Sequence, residues 1–171
     1  MSNIIEFYSR KKEYGYFSNF WKAPVIIDGK IYPTIVHYYQ AAKFFTTDPA
    51  YASGIQNESI TAAIKMGKSK HHPLRPDWEQ IKDDIMRKAL RAKFEQHSNL
   101  RLKLMKTINM KLVARTKYNS YWGDGGNGKG KNMLGVLLME LRESYVKEHE
   151  RDLENIKHLR TTFDGINVKS N

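Results

Sequence analysis

Between Trp122 and Gly135 the chain reads Trp122-Gly123-Asp124-Gly125-Gly126-Asn127-Gly128-Lys129-Gly130-Lys131-Asn132-Met133-Leu134-Gly135 and gathers six of its eleven glycines just ahead of a strong helical pattern. Glycines lacking a Cβ let backbone N–H groups close on an anion, the helix N-terminus that follows adds a favourable dipole, and Lys129 and Lys131 supply charge. A cradle for phosphate or ribose phosphate is the chemistry on offer; a flexible basic loop is the plainer alternative. No Gly-Lys-Ser or Gly-Lys-Thr ends the run and no clear buried strand precedes it, which argues against ATP hydrolysis and hydride transfer. Asp124 is the only carboxylate in the loop. Breaking a C–N glycosidic bond builds positive charge on the anomeric carbon, so a fixed carboxylate there would stabilise the transition state and orient water. Capping of the local turn is the competing role for an aspartate in such a loop.

Trp21, Trp78 and Trp122 are candidates for stacking on a leaving base, against the more ordinary fate of a core indole. His71 and His72 are adjacent, without the i, i+4 spacing of a zinc helix, so neither a metal nor a cofactor is expected. His37, alone in a helical segment, is more simply structural. With no cysteine and no Gly-x-Ser-x-Gly elbow, nucleophilic acyl transfer has little support.

The elements that must position these groups are mostly legible. Asp28-Gly29 between Pro24-Val25-Ile26-Ile27 and Lys30-Ile31-Tyr32 predicts a hairpin with a type I′ turn. Thr34 is placed to cap a helix over Ile35 to Phe45, with Pro49 closing the region. One face of that helix carries Val36, Tyr39 or Gln40, and Lys43, and another carries Ile35, Tyr38, Ala42 and Phe45. Ser59 to Lys68 predicts a short helix ending at Gly67, and His71 to Trp78 a proline-punctuated loop from which Asp77 could cap the next helix. That helix is predicted over Trp78 to about Gln96, with an apolar stripe of Ile81, Ile85, Ala89 and Phe94. Leu100 to about Thr107 continues in helical style, Lys111 to Ala114 fits a strand or turn, and a final helix is expected from Met133 to about Glu148.

At 171 residues the chain is the size of one domain, expected as α+β and predominantly helical with a small β-sheet. Residues 1–149 would form that domain and 150–171 a polar C-terminal extension. No run of apolar residues is long enough to span a membrane, and Met1 to Glu6 lacks the basic-then-apolar order of a secretory signal, so a cytoplasmic protein is expected. Twenty-nine Lys and Arg against eighteen Asp and Glu leave a net charge of +11, which favours phosphate-bearing ligands and allows nucleic acid as a partner, unless the charge serves solubility alone.

Taken in order, Phe17-Ser18-Asn19-Phe20, Tyr32-Pro33-Thr34, His37 to Phe44, Met66-Gly67, Leu74 to Trp78, Met86 to Leu90, Tyr121 to Gly125 and Leu134-Gly135 to Leu141-Arg142 resemble the NADAR or YbiA-like family over about residues 4–148. The resemblance implies hydrolysis of the N-glycosidic bond between a pyrimidine-type base and ribose 5-phosphate in riboflavin-biosynthesis intermediates. Related members are linked to ADP-ribose, including its removal from modified guanine in nucleic acid. It also implies catalytic roles for Trp78, Asp124 and the acidic residue of a Pro-Thr-x-Glu-His segment, where this chain has Val36. Valine can neither accept a proton nor stabilise an oxocarbenium ion. Ala114 and Asn119 likewise stand where Glu and Asp are often found. The implied pocket draws on Phe17, Asn19, His37, Gln40, Lys43, Arg75, Trp122, Gly123, Gly125, Lys129, Lys131 and Asn132. Its ligand would be a ribose phosphate or an ADP-ribose-type molecule. A working though impaired hydrolase, a non-catalytic ribose-phosphate or ADP-ribose binding module, and an ADP-ribosyl-guanine hydrolase acting on nucleic acid all remain open on sequence.

Overall fold

The computed structural model describes residues 3–8 and 13–167. Successive side chains of Ile4–Phe7 point to opposite faces of a half-buried strand, β1, with Ile5 and Phe7 turned inward and Ile4 and Glu6 outward. A 3₁₀ turn over Gly15–Phe17 follows. Then comes the predicted hairpin, β2 (Val25–Ile27) and β3 (Lys30–Tyr32), paired antiparallel with Ile26 opposite Ile31. Asp28 and Gly29 take φ of 51° and 75°, as a type I′ turn requires.

Helix α1 spans Ile35–Ala42, shorter at its end than predicted, and buries Ile35, Tyr38 and Ala42 of one face along with Val36, His37 and Ala41. Thr34 is its N-cap by position, but its hydroxyl pairs with His37 and not with the backbone. Pro49, expected to close the region, instead opens α2 (Pro49–Ile55), where Asp48 accepts from Tyr51 N at 3.0 Å. Proline is tolerated in a first helical turn because its missing N–H has no intrahelical partner to lose. Helix α3 (Ile60–Met66) is capped by Ser59 and ends at Gly67.

Helix α4 (Trp78–Gln96) has the predicted limits but a rotated apolar stripe. Met86, Ala89, Leu90, Lys93 and Phe94 are buried, whereas Ile81 and Ile85 are only half-buried. The rotation follows from its neighbours: α4 packs on α1, α5, β2 and the last helix at once, so its covered face is wider than one stripe. After α5 (Ser98–Met105), strand β4 (Lys111–Ala114) lies parallel to β1, Ile5 beside Leu112 and Phe7 beside Ala114. A parallel pair cannot be closed by a tight turn, so α1 to α5 form the connection between its strands.

The last helix, α6, runs Met133–Asn167, well beyond the expected end near Glu148. No proline or glycine stands between Gly135 and Gly165, and Glu143–Lys147 adds an i, i+4 ion pair, so nothing in the backbone stops it. Its residues 149–158 are exposed, and residues 168–171 of the expected polar extension lie outside the described residues. Among the described residues no helix is long and apolar enough to cross a membrane.

Candidate functional site

A cleft of about 480 Å³ opens between α1, the segment after the 3₁₀ turn, the end of α3, and the residues that follow β4. The polar face of α1 forms one wall, with Val36, Tyr39, Gln40 and Lys43 all lining it, as their spacing predicted. Gln40 lies along Gly67: a Cβ there would sit 1.8 Å from Gln40 Oε1, so glycine is what lets the amide occupy this path. Lys43 donates to Gly67 O at 2.8 Å, with its ammonium 5.7 Å from the ring centres of both Tyr39 and Trp78. Burial, and then the nearby Lys68 ammonium, pull the Lys43 amine down to about 8, against a smaller opposing effect of Glu79.

Aromatic rings back this wall. Tyr39 meets Trp78 edge to face at 5.0 Å and Trp122 at 5.5 Å, and Trp122 Nε1 donates to Tyr39 Oη at 3.3 Å. Burial raises the Tyr39 phenol far above its ordinary range, so it stays protonated. Trp122 and Tyr39 line the cleft, while Trp78, 5% exposed, stands behind them as a packing partner.

The glycine loop places its groups differently from the sequence reading. Asp124 is 3% exposed and is not among the lining residues. Its Oδ1 accepts from Thr116 N at 2.9 Å and Gly126 N at 3.0 Å, and its Oδ2 accepts from Arg115 Nη1 at 3.0 Å. Burial alone would raise this carboxyl, but the two backbone N–H groups and the Arg115 guanidinium hold it below the usual carboxylate range. Asn132, in the left-handed region at φ 52°, donates to Leu112 O and accepts from Ala114 N, both at 2.8 Å, and so extends the β4 ladder with a side chain. Gly123 lines the cleft; a Cβ on it would meet Ala114 O at 2.7 Å. Gly125 has a positive φ of 71° and shapes the loop from outside the cleft, and Lys129 and Lys131 are exposed, the latter 5.2 Å over the Tyr121 ring.

Other sequence candidates serve the frame. Phe17 is fully buried among Phe7, Tyr14, Tyr16 and Phe94. His37 Nε2 lies 2.9 Å from Glu58 O, which can only accept, so that nitrogen carries the proton, and Nδ1 sits 2.8 Å from the Thr34 hydroxyl. Arg75 makes a bidentate pair with Asp77 at 2.6 and 2.9 Å, while its backbone N–H holds Lys43 O. Asn19, by contrast, lines the cleft with Ser18 and Phe20, and donates to Met86 Sδ at 3.5 Å. Sequence reasoning did not single out Lys68, Arg115, Thr116 or Tyr118 for this cleft. Lys68 reaches it only because α3 ends against α1, and no local pattern announces that.

The described lining contains the cations Lys43, Lys68 and Arg115 and no aspartate or glutamate. Val36, Ala114 and Asn119, the positions at which the resemblance implied carboxylates, all lie in it. Arg115 is already paired with Asp124 and Glu6. Among the described residues no group of three or more His, Asp or Glu side chains could hold a metal ion.

A family model, that of the NADAR domain, matches residues 6–145. N-glycosidase YbiA of Escherichia coli (strain K12) is 53% identical over 146 residues, covering 85% of this chain and 90% of that protein. Riboflavin biosynthesis protein VVA0006 of Vibrio vulnificus (strain YJ016) is 33% identical over 152 residues, covering 86% of this chain and 41% of that longer protein. The solution NMR structure of the Escherichia coli protein YbiA superposes with a TM-score of 0.80 at 52% identity, over 87% of this chain and 89% of that one.

Proposed function

This chain belongs to the NADAR domain family, and from that premise we propose that its cleft binds a phosphate-bearing base N-linked to ribose, of the kind that arises in riboflavin biosynthesis, and cleaves its N-glycosidic bond only weakly. The names of the relatives, an N-glycosidase and a riboflavin biosynthesis protein, support the bond and the substrate class. The observation that carries the weak turnover is the charge of the cleft: cations and aromatic rings, with no carboxylate among the described lining residues.

In hydrolysis the C1′–N bond breaks, its electron pair goes to the base nitrogen, water adds to C1′ as the ribosyl cation forms, and the proton that water releases ends on the departing nitrogen. Lys43 and Lys68 are suited to the phosphate, and the Tyr39 and Trp122 faces to the planar base. Nothing in the described walls matches the developing cation or takes the water's proton. Asp124 is an unsuitable substitute, since both oxygens already accept bonds that hold the 115–126 loop. A module that binds the same ligand without any turnover is the second reading, favoured by the neutral side chains of Val36, Ala114 and Asn119 at the cleft positions where the resemblance implied carboxylates.

The test is calorimetric binding of ribose 5-phosphate together with release of ribose 5-phosphate from the aminated ribosyl-pyrimidine phosphate. Measurable binding with slow release supports the proposal, and binding with no release supports the module. Turnover as fast as that of N-glycosidase YbiA of Escherichia coli (strain K12) under the same conditions, or no binding at all, would overturn it. Binding is expected to weaken as pH rises through about 8, where Lys43 loses its charge.

A further inference from the structure

Lys93 lies in the last turn of α4, 1% exposed, among Met86, Ala89, Leu90 and Phe94. An ammonium is costly to bury, and no carboxylate pairs with this one among the described residues. Its partners are two carbonyls: Nζ donates to Tyr16 O at 2.7 Å and to Ser18 O at 3.0 Å, with the Phe94 ring 5.3 Å away. Both carbonyls belong to the turn that begins at Tyr14. That turn closes through Phe17 N to Tyr14 O at 3.1 Å and Ser18 N to Gly15 O at 3.0 Å, a pattern that gives Tyr16 O no backbone donor among the described residues. A buried carbonyl without a donor is as unfavourable as a buried amine without an acceptor, so the two satisfy each other.

What the amine holds continues directly into the cleft. Ser18, Asn19 and Phe20 line it, and Phe20 N donates to Ser18 Oγ at 3.2 Å, so the wall inherits its placement from the turn behind it. We propose that Lys93 is a positioning residue for this cleft, its charged amine fixing the Tyr16 and Ser18 carbonyls and thereby setting Asn19 and Phe20 against the ligand without touching it. The consequence for a ligand rests on the cleft being the ribose-phosphate site; the consequence for the wall does not.

The proton on Lys93 makes the idea measurable. Burial alone draws the amine down to about 7, so the charge present at pH 6 is gone at pH 9. Titratable groups beside this turn include its own Glu13, Tyr14 and Tyr16 and, from α5, Lys103, 4.5 Å from the Tyr16 ring. None of them contributes to the shift at Lys93. Global stability moves the other way: between about 7 and 10.5 the unfolded lysine keeps a proton that the folded one has lost, so the fold gains stability as pH rises through that window. A loosening of the wall over the same range is therefore not general unfolding.

The experiment follows the backbone amides of residues 16–20 and the Asn19 side-chain amide by NMR in the full chain from pH 5.5 to 9.5, alongside calorimetric binding of ribose 5-phosphate. In the wild type these resonances are expected to titrate together with a midpoint near 7. Lys93→Met should abolish the step and weaken binding by about tenfold, the scale of one lost charge-assisted bond. Lys43→Met should leave the step in place. Turn resonances that stay fixed across the wild-type titration, titrate equally in Lys93→Met, or lose their step only in Lys43→Met would overturn the proposal, as would unchanged affinity in Lys93→Met. The wild-type titration decides the matter even if that variant does not fold. Absence of ribose 5-phosphate binding in the wild type, with the turn still titrating, would overturn the proposed ligand and leave the positioning role supported.

Discussion

Placing a carboxylate on the wall of α1 should speed the proposed hydrolysis in this cleft. Val36 is 6% exposed and lines the cleft on the helix face shared with Tyr39, Gln40 and Lys43. Lys43 follows it by seven residues, a rise of about 10 Å, so a new carboxylate at 36 would be attracted by that ammonium without being locked to it. A single well-placed general acid or base commonly contributes about 10²–10⁴ in rate, or about 3–5 kcal/mol of barrier. Val36→Glu is expected near the lower end of that range, because Ala114 and Asn119 leave the rest of the wall neutral. The same change puts a charge where a methyl pair was, at a cost of about 1–3 kcal/mol in stability. Turnover of the aminated ribosyl-pyrimidine phosphate and thermal unfolding, measured on both proteins, separate the two effects. A folded Val36→Glu variant that binds ribose 5-phosphate as the wild type does and shows no gain in turnover would refute the reasoning that a missing carboxylate limits the rate.

Two further outcomes probe the frame around the cleft. Asp124→Asn should lower stability by about 1–3 kcal/mol, since in either amide orientation an NH₂ group must face Arg115 or the N–H groups of Thr116 and Gly126; an unchanged Tm would contradict the scaffolding role of this carboxylate. Gly135→Ala should cost a comparable amount or more, because a Cβ there would lie 2.1 Å from Leu112 O and 2.4 Å from Asn132 Nδ2, forcing α6 away from β4; a wild-type unfolding curve would show that the helix shifts freely.

Local order was written plainly in the sequence. Asp28-Gly29 specified its turn because only residues that accept positive φ fit there, and α3 and α4 announced their limits through Ser59, Gly67 and the periodic run from Trp78. The motif order from Phe17 to Arg142 identified the family, and the spacing of Val36, Tyr39, Gln40 and Lys43 assembled one wall before any fold was known. Each of these depends on neighbours within a few residues, which is the range over which helical and strand periods act. The fate of Asp124 depended on Arg115 and Thr116 folding back from β4, that of Trp78 on Tyr39 standing in front of it, and that of Lys93 on a turn some seventy-five residues earlier. A charged side chain and a carbonyl far apart along the chain carry no shared pattern, so only the tertiary structure could decide that the acid holds a loop, the indole backs a ring, and the lysine props a wall.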